Sequence, residues 1–468
     1  MINLKPAILS FILLISFAAQ AQQNQETALK NTNWIQEGYG RGLKIGDSSF
    51  NYYNIDRLTC KSLVDGSLSS RFKIVSLSKN ELVLNPGGIV NYVFKKVNTL
   101  PAICAGVPTT PATYEDNFKV FWETFNNNYA FFKERNVDWQ LVYKENLPRA
   151  KKITAPKELA DLLSELVKKL GDGHIRLEIP DSLRTKTAVS SFGSSTPGIK
   201  RKTNDVIQGI KDQYLENTHA YNNGVISWGR MKNANVGYIL IKDMNNFADY
   251  LPPSEQSLPT FMKKYEEIKD TEQGLANFDD ELNGVDMIMK KILEDLRQVD
   301  SMVIDLRFNG GGLETVALKL LSYFVAESKP VISIYAKTSE GNSKKQIYTL
   351  NPAKSNYKGK VFLLTGANTA SAAEIFALAA RSYPSITSIG TKTNGIFSEI
   401  LWKELPNGWE FSLSNETYMD LAGKTYEGTG VPVNIELNYP RNRFDFYNTF
   451  YKGDQFTDQA LDRITKSK

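Results

Sequence analysis

Ser371 falls in "LLTGANTASAAEIFALAA", where an apolar strand-like run has turned and a helix-like run begins. A serine there most often caps the helix. The same place would expose a hydroxyl nucleophile, with the N–H of Ala372 and the positive end of the helix dipole facing whatever it forms. A second strand end, "VIDLRFNGGG", closes on Gly310, Gly311 and Gly312. Backbone N–H groups unobstructed by side chains suit an anion or an oxyanion, although tight strand-to-helix turns use glycine as well. Only two histidines occur, His174 and His219. His174, in "LVKKLGDGHIRLEIP", follows a glycine that ends a helical stripe, so it enters a loop, where reactive side chains are commonly presented. A serine hydroxyl becomes a useful nucleophile when a base takes its proton, and imidazole can do that near neutral pH. The alternative for His174 is a hydrogen-bonded loop residue. His219, in polar "LENTHAYNN", reads as a surface residue.

The elements that must position these groups follow from periodicity. Residues 28–98 alternate short strand-like runs with Asn-Pro-Gly and Asp-Gly turn signals and predict a small β-barrel or sandwich domain. Residues 99–113, rich in proline and threonine, form a linker. Over 114–180 a helical subdomain is expected. Phe118, Phe121, Trp122, Phe125 and Tyr129 share one face, and Leu159, Leu162, Leu163, Leu166, Val167 and Leu170 recur at helical spacing up to the stop at Gly171. Residues 181–235 are polar and weakly patterned, a connecting segment with "SSFGSSTPG" as a loop. From 236 to 440 strand and helix alternate, which predicts an α/β core with a mostly parallel sheet. Residues 441–468 are left as an extension.

Composition narrows the function classes. The chain has 468 residues, 41% hydrophobic and 23% charged, enough for a large core and for two to four domains. "MINLK", the apolar "PAILSFILLISFAA" and the small-x-small "AQA" together predict a signal peptide over residues 1–21, hence export to a periplasm or the exterior. Its apolar run is too short to span a bilayer well, and no later stretch is apolar enough to do so. Loss of Lys5 lowers the formal charge from +5 to +4. No basic run interleaved with aromatics occurs, so nucleic acid is not the expected partner. Gly38, Gly40 and Gly42 do not have the dinucleotide spacing, and the glycine run lacks the phosphate-binding Gly-Lys-Ser/Thr, so neither cofactor nor metal is expected. Cys60 and Cys104 would face an oxidising compartment, where a disulfide between them is plausible.

Taken together, "GDGHIRL", "VIDLRFNGGG", "TASAAEIFALAA" and "YEGTGVPVNIE" resemble, in order and spacing, the tail-specific or carboxyl-terminal-processing serine peptidases of the S41 type. The resemblance covers Asn117 to about Glu436. It implies a crotonase-like peptidase core of ββα repeats, with Ser371 as nucleophile and an oxyanion hole made of the N–H groups of Ala372 and Gly312. The better-known branch pairs the serine with a lysine just past a "T-x-G" turn. Here that turn is "KTNGIF" and the position holds Ile396, which cannot accept a proton; Lys392 belongs to the preceding turn. The branch similar to the tricorn core protease uses a histidine base and a glutamate that orients it, which match His174 and Glu427. That pattern places a serine before the histidine, where this chain has Gly173. Glu416, Glu410 and Asp420 lie near Glu427 in sequence, each with a solvated surface role as its default.

The segment before residue 235 is too short for the peptide-gripping PDZ domain of many relatives. The resemblance therefore implies an exported serine endopeptidase acting on peptides or unfolded polypeptides, with a Ser-His-Glu mechanism and no cofactor. Two other readings stay open. One is a non-catalytic binder of hydrophobic ligands, as in the similar interphotoreceptor retinoid-binding modules; the other is an esterase using the same triad.

Overall fold

The structure, a computed structural model, describes residues 26–106, 111–184, 201–271 and 274–466. The expected signal peptide and the loop "SSFGSSTPG" lie outside the described residues.

Seven strands between Thr32 and Val97 form one antiparallel sheet. Its outer strands are Cys60–Gly66 and Lys73–Leu77, which do not pair with each other, so the sheet stays open instead of closing into a barrel. Trp34, Leu43, Phe50, Leu82 and Phe94 alternate onto its buried face. A disulfide joins Cys60 to Cys104 and ties the segment after the sheet to the edge strand.

Three helices follow, Tyr114–Asn128, Trp139–Ala150 and Pro156–Leu170. Thr113 caps the first through the Asp116 N–H at 3.1 Å, and Asp116 returns the bond, a capping box. Phe118, Phe121, Phe125, Leu159, Leu163 and Leu166 meet in one core, which also takes Phe411 and Leu413 from the hairpin Ile400–Glu404/Glu410–Ser414. The third helix stops at Gly171, whose φ of 59° suits a residue without Cβ.

The central sheet has seven strands in the order Ile435–Glu436, Ile386–Gly390, Lys360–Thr365, Ser301–Asp305, Val236–Ile241, Ile226–Met231, Leu215–Tyr221. The first five run parallel and the last two are antiparallel additions. Helices cover both faces, which is why its inner strands read as unbroken apolar runs. Met302, Ile304, Val361 and Leu363 face the helices Leu275–Asp295, Glu314–Ser322 and Ala372–Ala380. Val303, Phe362 and Leu364 face the opposite layer, built from Thr203–Tyr214, Arg443–Asn448 and Gln459–Lys466.

Two expectations change here. The described part of the connecting segment supplies a helix and two strands of this sheet. Its edge strand Leu215–Tyr221 has five consecutive exposed residues between buried ends, so it offers no alternating pattern to read. His219 lies on that strand, exposed, with its ring 5.4 Å from Trp228. The C-terminal extension is likewise part of the core: Asp458 and Asp305 clamp the fully buried Arg307 at 2.7 and 2.6 Å.

Candidate active site

Ser371 sits between the buried strand Lys360–Thr365 and the helix Ala372–Ala380. The turn before it is tied to the neighbouring strand end. Thr369 donates to the Leu306 carbonyl at 2.8 Å, and the Ala370 N–H donates to the Asn309 carbonyl at 3.1 Å. Ser371 itself has φ 53° and ψ −126°, a conformation L side chains rarely adopt. Such residues cost of order 1–3 kcal/mol and persist only where their surroundings over-determine them. Here the Ser371 N–H donates to the Ile396 carbonyl at 3.0 Å and to Glu374 Oε2 at 3.2 Å. The hydroxyl makes no capping bond to the helix, so the simple capping role does not use it.

The glycine run presses on this serine. Asn309 is buried, bonded through its amide to the Ile241 carbonyl at 3.0 Å, and its Oδ1 takes the Gly311 N–H at 2.8 Å. Gly312 follows at φ 134° with Met244 alongside. Among the described residues no acceptor takes the N–H of Gly312 or of Ala372. Both residues line, with Ser371, a cavity of about 190 Å³. Two unspent donors thus line one recess with the serine, the kind of groups an oxyanion site draws on.

His174 is carried by the loop after Gly171 and buried to 6% exposure. Asp172 Oδ1 takes its N–H at 2.9 Å, and the Ser412 hydroxyl donates to its carbonyl at 2.7 Å. The strand Leu177–Glu178 then pairs with Glu410–Ser414. The loop leans on the segment that holds the serine: a Cβ at Gly173 would lie 3.3 Å from the Ile396 side chain, and the Ser398 carbonyl faces the imidazole. Burial lowers the His174 pKa, against the pull of Asp172 and Ser398. Its Nδ1 is buried with no hydrogen-bond partner.

Glu427 is buried beside this loop, but its carboxylate is bonded elsewhere. Oε1 pairs with Arg135 at 2.7 Å, and Oε2 takes the Phe397 N–H at 2.9 Å. Arg135 also reaches Asp172 at 4.0 Å and the Gly171 carbonyl at 3.1 Å. Burial, then the Asp172 charge, pushes Glu427 up to about 8, while Phe397 N–H and Arg135 oppose the rise. Of its alternatives Glu410 is exposed, Asp420 half-buried, and Glu416 fully buried, not the solvated residue expected.

Residues 235–437 match peptidase family S41, and residues 110–168, ending just before His174, match the tricorn protease C1 domain. Residues 235–437 thus carry the pattern of an S41 peptidase. A CtpA-like serine protease of Staphylococcus haemolyticus is 28% identical over 144 residues, 31% of this chain and 28% of that protein. A second, from Staphylococcus aureus strain COL, is 26% identical over 174 residues, 36% and 34% of the two chains. The aligned stretch thus spans about a third of these relatives or less. In fold the chain is similar to mature CPAF, with TM-score 0.52 and 10% identity over 76% of this chain and 96% of that one. It is also similar to a candidate peptidase from Parabacteroides merdae, with TM-score 0.51 and 20% identity over 70% and 90%.

In this chain Ile396 does occupy the turn behind the serine, and Lys392 is exposed. Sequence reading left four residues of the site without a role. Glu374 takes N–H groups from Ser371, Gly395 at 2.7 Å and Ile396 at 2.8 Å, so one carboxylate fixes both the serine and the turn behind it. Burial raises it to about 7 despite those donors. Its position three residues past the serine is a capping-box spacing and was a usable signal. Asp172, which also takes the Tyr129 hydroxyl at 2.9 Å, stood in the quoted histidine motif. Arg135 and Ser412 had no local signal at all.

Proposed function

We propose that this protein is an exported serine endopeptidase, periplasmic or secreted, that hydrolyses peptides or unfolded polypeptides. The observation that supports the reading is Ser371: a serine at positive φ with its hydroxyl unspent, sharing a recess with two free backbone donors, while the His174 loop leans on the Ile396 turn behind it. In the proposed cycle His174 takes the hydroxyl proton as Ser371 Oγ bonds to the scissile carbonyl carbon. The carbonyl oxygen gains the negative charge and is received by the N–H groups of Gly312 and Ala372. His174 then returns the proton to the amine as the C–N bond breaks. Water repeats the sequence on the acyl-enzyme, releasing the acid and Ser371.

Glu427 is assigned a supporting role, its charge acting on His174 through the shared Arg135 and Asp172 neighbourhood. The small, acid-lined cavity beside Ser371 argues against the hydrophobic-ligand reading. A fluorophosphonate probe tests the proposal: it is expected to label Ser371 in wild-type protein and nothing in Ser371→Ala. Failure to label folded wild type would overturn it. No helix of the described residues is long and apolar enough to cross a membrane.

A further inference from the structure

The cavity that opens on Ser371 has a floor of a different character from its mouth. Gly312, Ala372 and Ser371 form the reacting end, and Glu314 and Glu399 line the other. Behind them lies Glu416, fully buried and bonded to the hydroxyls of Tyr39 and Tyr418. The two lining carboxylates converge: a Cβ built at Gly88 would stand 2.7 Å from Glu314 Oε1 and 3.8 Å from Glu399 Oε1. Gly88 belongs to a loop of the N-terminal sheet, and the next residue, Ile89, donates its N–H to Glu314 at 3.1 Å. That sheet therefore backs the Glu314 end of the recess.

Carboxylates withdrawn from water normally have a counter-ion in contact. Among the described residues none of these three forms an ion pair; Glu399 and Glu314 instead share a side-chain hydrogen bond, one proton between two carboxyls. Arg41 acts on Glu399 and Glu416 from beyond ion-pair distance. The contrast lies within the same site, where Glu427 has Arg135 at 2.7 Å. Burial, then Glu314 and Glu416, raises Glu399 well above the usual carboxylate range. A volume of about 190 Å³ is below that of drug-sized ligand sites and suits one side chain. Ile375 and Phe397 on the walls would flank an alkyl stem, leaving its charged head to the floor.

We propose that this recess receives the substrate side chain immediately before the scissile bond, and that it selects lysine or arginine, with the hydrogen-bonded Glu399–Glu314 pair supplying the counter-charge. The proposal rests on Ser371 as nucleophile. It makes the N-terminal sheet part of the specificity pocket, since Gly88 and Ile89 hold Glu314 in place.

A peptide series differing only at that residue tests it, with lysine, arginine, norleucine, citrulline and glutamate compared by kcat/KM. Lysine and arginine peptides are expected to exceed their neutral analogues by at least ~10-fold, the discrimination typical of a desolvated charge-assisted contact. In Glu399→Gln the lysine-to-norleucine ratio should fall towards one. Labelling of Ser371 with cleavage that ignores the charge, or favours glutamate, would overturn the pocket assignment and leave the peptidase reading standing. Absence of both labelling and cleavage in folded protein would overturn the two together. The wild-type series does not depend on how the variant folds.

Discussion

Gly311 lies against Ser371 so closely that a Cβ at position 311 would stand 2.6 Å from the serine Cβ, 2.9 Å from the Ala370 carbonyl and 3.1 Å from the Ala372 nitrogen. Its φ of 111° is itself a conformation for glycine. Gly311→Ala should push the serine and the Ala372 N–H off their shared target, and kcat/KM should drop by ~10²–10³-fold, the loss seen when an oxyanion donor is removed. Gly310→Ala is the control: position 310 is exposed, with nothing within 4 Å of a built Cβ, and the variant should stay within about threefold of wild type. Equal activity of the two variants would refute the account.

The base is identified by pH. Burial lowers the His174 pKa from its ordinary value, so the imidazole is held more neutral near neutral pH and gains its proton at a lower pH than a free imidazole does. kcat/KM should therefore decline on an acid limb centred below the ordinary imidazole value. A lysine base would put that limb far higher unless strongly shifted. Lys392→Ala should leave most activity and His174→Ala nearly none. The reverse pattern would assign the chemistry to the lysine branch.

Glu427, raised to about 8, gives a second and separable signal. As pH rises through 8 it gains a negative charge that favours the imidazolium formed during acylation, so kcat/KM should climb again there. Glu427→Gln should abolish that upper inflection and keep the lower limb. Persistence of the upper inflection in the variant would exclude Glu427 as its source.

Arg307 tests what ties the C-terminal segment to the core. It is fully buried between Asp305 and Asp458, with paired bonds of 2.6–3.1 Å. Arg307→Ala strands two buried carboxylates and should destabilise the fold by about 3–5 kcal/mol, read as a fall in the urea midpoint. Adding Asp305→Asn and Asp458→Asn should recover part of that loss. No recovery would mean the penalty came from lost packing.

How much of this was legible in the sequence follows from what each element depends on. The helical stripe from Leu159 to Leu170, its stop at Gly171 and the apolar runs of the parallel strands depend on local periodicity and on glycine's access to positive φ, so the residues alone determined them. Ser371 and His174 stood out because their types, and the glycines around them, are locally unusual. The edge strand Leu215–Tyr221 was not legible, since an exposed edge carries no burial pattern. Nor was the partner of Glu427: whether its carboxylate meets His174 or Arg135 depends on how residues 292 positions apart come together. The acid floor of the recess was hidden for the same reason. Glu314 and Glu399 carry no local signal, and Glu416 was expected in the solvated role that is the default for a charge. Tertiary packing decided otherwise: Gly88 and Ile89 of a separate sheet close on Glu314, and Tyr39 and Tyr418 close on Glu416.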